Sequence, residues 1–247
     1  MGNNEETIFH KIVEPLYKKI SKNDFVIDKS GSKTVEILNC SLELNPVFPV
    51  VEFVGRKTPI SYCQEELKWY NSQSLSVWYP DKESGIASKA KLWNVVCSDN
   101  GKVNSNYGWC VFSKENGLQF GNVVEELKKN PSSRRAVMIY NRPSMWEDYK
   151  KDGMDDFICT LATQHFIRNG KLITIVNMRS NDFVYGFFND FFWQCHIHNS
   201  VANSLSVESD HMIWNANSMH VYERHFEKLV EIYHNNFANA HLEMNYD

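Results

Sequence analysis

Cys159 has the most chemistry to offer, because of where it stands. The segment ICTLATQHFIRNGKLITIVNMRSND holds two apolar, β-branched runs on either side of Asn169-Gly170, a strong hairpin-turn signal. A hairpin folded there sets Cys159, at the start of one strand, near-opposite Ser180 and beside Arg179 at the end of the other. A guanidinium near a thiol lowers its pKa and raises its thiolate fraction. The ordinary reading of Cys159 as a small buried hydrophobe stands beside this one. Glu66 follows Glu65 in EELKWY. Glu65 suits an exposed helical site, whereas Glu66, next to Leu67, Trp69 and Tyr70, suits partial burial, which raises a carboxyl's pKa and fits it to move protons. Arg134-Arg135 enters a strand, so the two side chains point to opposite faces. They form either a solvated pair or a phosphate site shared across a subunit interface. His220 and Tyr222 alternate in Met219-His220-Val221-Tyr222 and face one side, as a hydroxyl-binding pair or as a satisfied core pair. His196 and His198 share a face only on a strand; a helix is expected there, so no metal site is expected. Together these residues suggest covalent chemistry on a small phosphorylated substrate, without naming it.

The composition agrees. The 247 residues are 43% hydrophobic and 23% charged, with a net charge of −4, which excludes a disordered chain or a rod. A basic surplus for sequence-independent binding of DNA is missing. Among the 26 basic residues only 7 are Arg, and a scarce Arg more often has a geometric task, since its planar fork binds carboxylate or phosphate in two places. No two of the six cysteines have metal-type spacing, so a reducing cytosol is expected. The opening MGNNEETIF does not read as a signal or transit peptide, Glu6 stands where a myristoylation site needs Ser or Thr, and no apolar run is long enough to span a membrane. GSKT at 31–34 lacks the spacing of a P-loop.

The elements that must position these residues can be sketched. A helix is expected over 6–21, weakened near Pro15, followed by strand, loop and strand through FVIDKSGSKTVEIL. A helix is expected over 58–72, irregular polar chain over 74–106, a short helix over 121–129 and a strand at 134–140. After the hairpin come a buried helix, DFFWQCHIHNSVANSL, a short strand, HMIWNANSMHVY, and a last helix, HFEKLVEIYHNN. No repeat or linker interrupts the chain, so a single domain over 1–247 is expected. Strands in the middle and helices around them imply an α+β fold with a largely antiparallel or mixed sheet.

NSNYGW, NPSSRRAVMIYNRPSM, DFICT, VNMRSNDFVYGFFND and SMHVYERHF, in this order and spacing, resemble the thymidylate synthase superfamily and, within it, the phage-type deoxycytidylate hydroxymethylases. The likeness runs from about Phe25 to His225. It implies a homodimer with large sheets packed back to back, and one-carbon transfer from 5,10-methylenetetrahydrofolate to C5 of a pyrimidine nucleotide, with no metal. It further implies that Cys159 adds to C6 of the base, that Glu66 relays protons through water and that Tyr107 lies beside the reacting ring. Arg179 and Ser180 would bind phosphate, with Arg134 and Arg135 reaching in from the other subunit and Lys29 in a phosphate loop. His220 and Tyr222 would hold the sugar 3′-hydroxyl, and Asp182 and Trp93 would face the folate.

Departures from the pattern point to the subfamily. Four residues after Gly186, where thymidylate synthases carry Asn, stands Asp190, preceded by Asn189. A carboxylate only accepts, which suits the N4 amino group of cytosine and opposes O4 of uracil. Thr160 replaces the usual His after the nucleophile, and Val96 replaces a second Trp, which would admit water to the methylene intermediate and give a hydroxymethyl product. The expectation is therefore hydroxymethylation of dCMP. The alternatives are a thymidylate synthase or dUMP hydroxymethylase, if Asn189 rather than Asp190 reads the base, a CMP-specific enzyme, or a non-catalytic nucleotide-binding relative.

Overall fold

A computed structural model describes residues 3–28 and 31–242. The chain divides into two compact units, one made of Met1–Pro59 with Arg168–Asp247 and the other of Ile60–Ile167. Each has its own sheet strands and helices, and the fold is α+β, as expected.

The first unit opens with α1 (Asn3–Ile8) and α2 (Glu14–Ser21), joined by a π-helical turn over Phe9–Val13. Proline lacks an N–H and crowds the carbonyl four residues back, so the wider turn just ahead of Pro15 relieves the point where the helix was expected to weaken. Then come β1 (Val26–Ile27), paired antiparallel with β2 (Lys33–Leu44), and the small hairpin β3 (Glu52–Phe53) and β4 (Arg56–Lys57). Lys29 lies outside the described residues.

The second unit runs through α3 (Ile60–Ser72), the short helices α4 (Ile86–Lys89) and α5 (Leu92–Val96), then α6 (Tyr107–Phe112), α7 (Gln119–Lys129), β5 (Val137–Ile139), α8 (Met145–Asp148) and β6 (Thr160–Arg168). β5 pairs antiparallel with β6. The strand expected over 134–140 is thus only three residues long. Arg134 and Arg135 precede it, so the strand-face argument that would send their side chains apart does not apply to them.

The chain returns to the first unit through Asn169-Gly170, both at positive φ (52° and 76°), as a two-residue type I′ turn requires. β7 (Lys171–Met178), β8 (Asn181–Asp182), α9 (Gly186–Leu205), β9 (Glu208–Tyr222) and α10 (Phe226–Leu242) follow. β2 runs antiparallel to β9, and β7 and β8 run parallel to it. β9 is 15 residues long, not the short strand expected. Its inward residues are Met212, Trp214 and Ala216, then Met219 and Val221, so the alternation changes phase at Asn217. β2 does the same where Asn39 takes a left-handed φ of 55°, between buried Val35 and buried Cys40, Leu42 and Leu44. A broken period of two makes one long strand read as a fragment.

Aromatic rings fill the core of this unit. Phe187 and Phe191 of α9 meet Trp214 of β9 edge-on, at 5.4 and 6.1 Å between ring centres. α9 is buried on nearly every side, which fits its apolar sequence. Burying each such ring contributes about 1.5–3 kcal/mol.

Candidate active site

In the second unit, Asn106 is the hinge of the local architecture. Fully buried, it caps α6 by accepting from the Trp109 N–H at 2.7 Å, while its amide donates to the carbonyls of Trp69 and Ser74 at 2.9 Å each. Gly108 then passes so close to α3 that a Cβ there would stand 1.9 Å from the Tyr70 carbonyl oxygen. This seats Tyr107 against α3, stacked on Tyr70 at 5.5 Å and edge-on to Tyr140 at 5.2 Å. Asp156 accepts from the N–H groups of Asn104 and Ser105 at 2.6 and 2.8 Å and from the Ser105 hydroxyl at 2.7 Å. The loop ahead of α6 is thereby tied to the segment that leads into Cys159. Cys159 is a half-buried thiol outside any disulfide, directly before β6, its Sγ 3.9 Å from the Phe157 carbonyl oxygen. Thr160 beside it is buried.

Glu66 is buried at 6% exposure. Tyr62, one turn earlier on α3, donates to its Oε1 at 2.7 Å, and Tyr70, one turn later, donates as well. Burial pushes the Glu66 carboxyl up to about 7, and the two phenol hydrogen bonds hold it from rising further. Tyr62 accepts in turn from the indole N–H of Trp93 at 2.9 Å. Burial first, and then the nearby Glu66 charge, raises the Tyr62 phenol far above its ordinary value, so it stays a proton donor. Trp93 thus closes a chain, Trp93 to Tyr62 to Glu66, and also packs on Trp69 at 5.0 Å. Tyr62 and Tyr70 were not singled out as site residues from sequence; their signal was the spacing of four residues on either side of Glu66, which puts all three on one helix face.

Arg134 and Arg135 are both exposed. The Arg134 carbonyl accepts from the Gln164 amide at 2.8 Å, which anchors the backbone but leaves the cation outward. Arg135 pairs with Glu126 at 3.3 Å while 80% exposed, an ion pair that water screens.

In the first unit, Arg179 and Ser180, both half-buried, follow the end of β7 and lead directly into β8. The Asn181–Asp182 strand lies in register with Met219 and His220 of β9. Asp182 accepts from the Val184 N–H at 3.1 Å. Burial raises its carboxyl pKa, against the pull of His220, His225 and Arg224. His220 is buried, with Nδ1 3.3 Å from the Ser218 carbonyl oxygen and its ring edge-on to Tyr222 at 4.9 Å. Asp190, four residues into α9 from Gly186, accepts at Oδ2 from the Asn181 amide at 2.8 Å. Asn181 is a neighbour that sequence reasoning missed. Deeper in α9, His198 is buried with Nδ1 2.8 Å from the Thr174 hydroxyl, and burial pushes its pKa down to about 4.

Cys159, Glu66, Tyr107, Trp93, Arg134 and Arg135 therefore belong to the second unit, and Arg179, Ser180, Asp182, Asp190, His220 and Tyr222 to the first. Among the described residues no group of three or more His, Cys, Asp or Glu side chains is placed to hold a metal ion, and no helix is long and apolar enough to cross a membrane.

Residues 9–247 match the family described as Thymidylate synthase. The chain belongs to the thymidylate synthase family. Within it, the chain is 42% identical over 214 residues to the deoxycytidylate 5-hydroxymethyltransferase of Enterobacteria phage T4, covering 84% of this chain and 83% of that protein. Similarity to the thymidylate synthase of Francisella philomiragia subsp. philomiragia is lower, 27% over 217 residues, covering 83% of this chain and 76% of that one. The fold matches the crystal structure of thymidylate synthase from T4 phage with a TM-score of 0.70 at 23% identity, over 90% of this chain and 80% of that chain.

Proposed function

We propose that this thymidylate synthase family member transfers a one-carbon unit from 5,10-methylenetetrahydrofolate to C5 of dCMP and completes the product with water, giving 5-hydroxymethyl-dCMP. The observation that carries the choice of base is Asp190. It stands one helical turn into α9, and its carboxylate is oriented by an amide donor. An acceptor-only group there suits the cytosine amino group and repels the uracil carbonyl. The 42% identity to a deoxycytidylate 5-hydroxymethyltransferase supports the same reading.

Each residue then has a task. The thiolate of Cys159 adds to C6, forming an S–C6 bond and shifting the C5–C6 π pair into the ring, which makes C5 nucleophilic. The folate supplies a carbon at the oxidation level of formaldehyde. C5 bonds to that carbon, C5 loses its proton and tetrahydrofolate departs, leaving an exocyclic methylene on the base. Water adds to the methylene, and loss of the thiolate restores the C5–C6 double bond. A carboxyl poised near 7, as Glu66 is, can take and return protons at neutral pH through water. Half-buried Val96 leaves more room for that water than a Trp would. The residues fit a folate: Asp182 offers a carboxyl of raised pKa to the N–H groups of a pterin, and Trp93, its indole N–H engaged by Tyr62, offers an aromatic face.

Arg179 and Ser180 bind the phosphate, and His220 and Tyr222 the sugar hydroxyl. The exposure of Arg134 and Arg135 suits donation to the phosphate of a second subunit in a homodimer. Leu38, 69% exposed on β2, suits a sheet face covered by that partner. Such an enzyme works in the cytoplasm of the cell that supplies dCMP and folate.

The test is product identification by mass after incubation with methylenetetrahydrofolate and dCMP. Wild type is expected to form 5-hydroxymethyl-dCMP, and Cys159→Ser to lose turnover by at least roughly 10⁴-fold while still binding the nucleotide. A methylated product, or turnover retained by Cys159→Ser, contradicts the proposal.

A further inference from the structure

We infer that Asn181 is a positioning and specificity-determining residue, forming with Asp190 a single reader of the cytosine amino group; this rests on the dCMP reading above. Three observations carry it. Asn181 is buried at 2% exposure. Its Nδ2 donates to Asp190 Oδ2 at 2.8 Å. Its Oδ1 is also buried and meets no donor among the described residues. A buried carbonyl without a donor is uncommon in folded proteins and calls for one from a ligand or water.

The geometry follows from the elements. β8 is held in parallel register by β9, and α9 begins four residues after β8 ends. At its first residue, Gly186, a Cβ would stand 3.5 Å from Asn181 Nδ2 and 3.6 Å from Asp190 Oδ2, so the amide–carboxylate pair sits directly over the start of the helix. The terminal torsion of an aspartate is broad and does not by itself fix the carboxylate plane. The Asn181 N–H does so. With its NH₂ turned to Asp190, Asn181 keeps its carbonyl as a second acceptor on the same amide, covered from solvent and without a donor among the described residues. An amino group brings two N–H donors to such a corner; a carbonyl oxygen brings lone pairs. The pair thus favours cytosine by attraction and disfavours uracil by repulsion.

The test compares kcat/KM for dCMP and dUMP in wild type, Asn181→Leu and Asn181→Asp. Asn181→Leu keeps the size and removes both polar atoms. It is expected to lower kcat/KM for dCMP roughly 10–100-fold, mostly through KM, and to shrink the dCMP-to-dUMP preference at least about 10-fold. A preference within about twofold of wild type overturns the inference while leaving the proposed function intact. Wild type that fails on dCMP overturns both. If Asn181→Leu does not fold, Asn181→Asp decides. There a proton shared between the two carboxyls replaces the amide N–H and is lost at higher pH, so the ratio of variant to wild-type activity on dCMP should fall from about pH 6 to about pH 8. The pH dependence that wild type and variant share divides out of that ratio. A flat ratio overturns the inference.

Discussion

Glu66 and Asp190 are both helical carboxyls in polar corners, yet their surroundings prepare them for different work. Glu66 is enclosed by aromatic side chains, and its hydrogen bonds come from the neutral phenols of Tyr62 and Tyr70. Burial outweighs those bonds, and the group titrates at about 7. Asp190 is met by an amide that can donate but has no proton to exchange at neutral pH. On the proposed function, the first corner moves a proton and the second holds an acceptor in place. The neighbours, more than the residue type, set the task.

The sharpest way to break this contrast is to remove the titrating proton. Glu66→Gln preserves the shape, turns one acceptor oxygen into an amide donor and removes the titrating proton, and turnover should fall roughly 10²–10⁴-fold with little change in nucleotide affinity. Unchanged turnover would show that Glu66 is structural. The same substitution tests the cost of burial. The folded-state pKa of Glu66 is raised from 4.5 to about 7, so folding favours the protonated form. The stability this confers is complete below about pH 4.5 and is lost as pH rises through about 7, by roughly 3 kcal/mol. In Glu66→Gln this pH-dependent loss should vanish from denaturant titrations at pH 5 and about pH 8. A loss as large as in wild type would place the raised pKa elsewhere.

A finer cut is Tyr62→Phe. It removes a hydrogen bond that lowers the Glu66 pKa, so the pH–rate limb due to Glu66 should move upward, with turnover at neutral pH down about tenfold or less. A limb that stays in place would mean that Tyr62 does not tune Glu66.

Much of this could be read from sequence where the signal is local. The helix that carries Glu66 was expected over 58–72 and begins at Ile60, just past Pro59. The Asn169-Gly170 turn follows from backbone chemistry alone. β9 was harder, because its phase change at Asn217 hides a long strand behind a broken period. The Tyr62–Glu66–Tyr70 nest was visible as helical spacing, but its link to Trp93 was not, since 31 residues separate Tyr62 from Trp93. Asn181 gave no sign of its role for a related reason. Its bond to Asp190 depends on how β8 meets the first turns of α9, which a local pattern does not reveal. The assignment of Asp190 itself rests on a family resemblance; the structure adds the amide donor beside it.

The measurement that tests the account most directly is a competition between equimolar dCMP and dUMP for wild type and Asp190→Asn, with the nucleotide products identified by mass. The account predicts hydroxymethylated dCMP alone from wild type, and a shift toward the dUMP product in Asp190→Asn, because the new amide can donate to O4. An unchanged preference for dCMP in the variant, in a protein that still turns over, would contradict the claim that Asp190 reads the base.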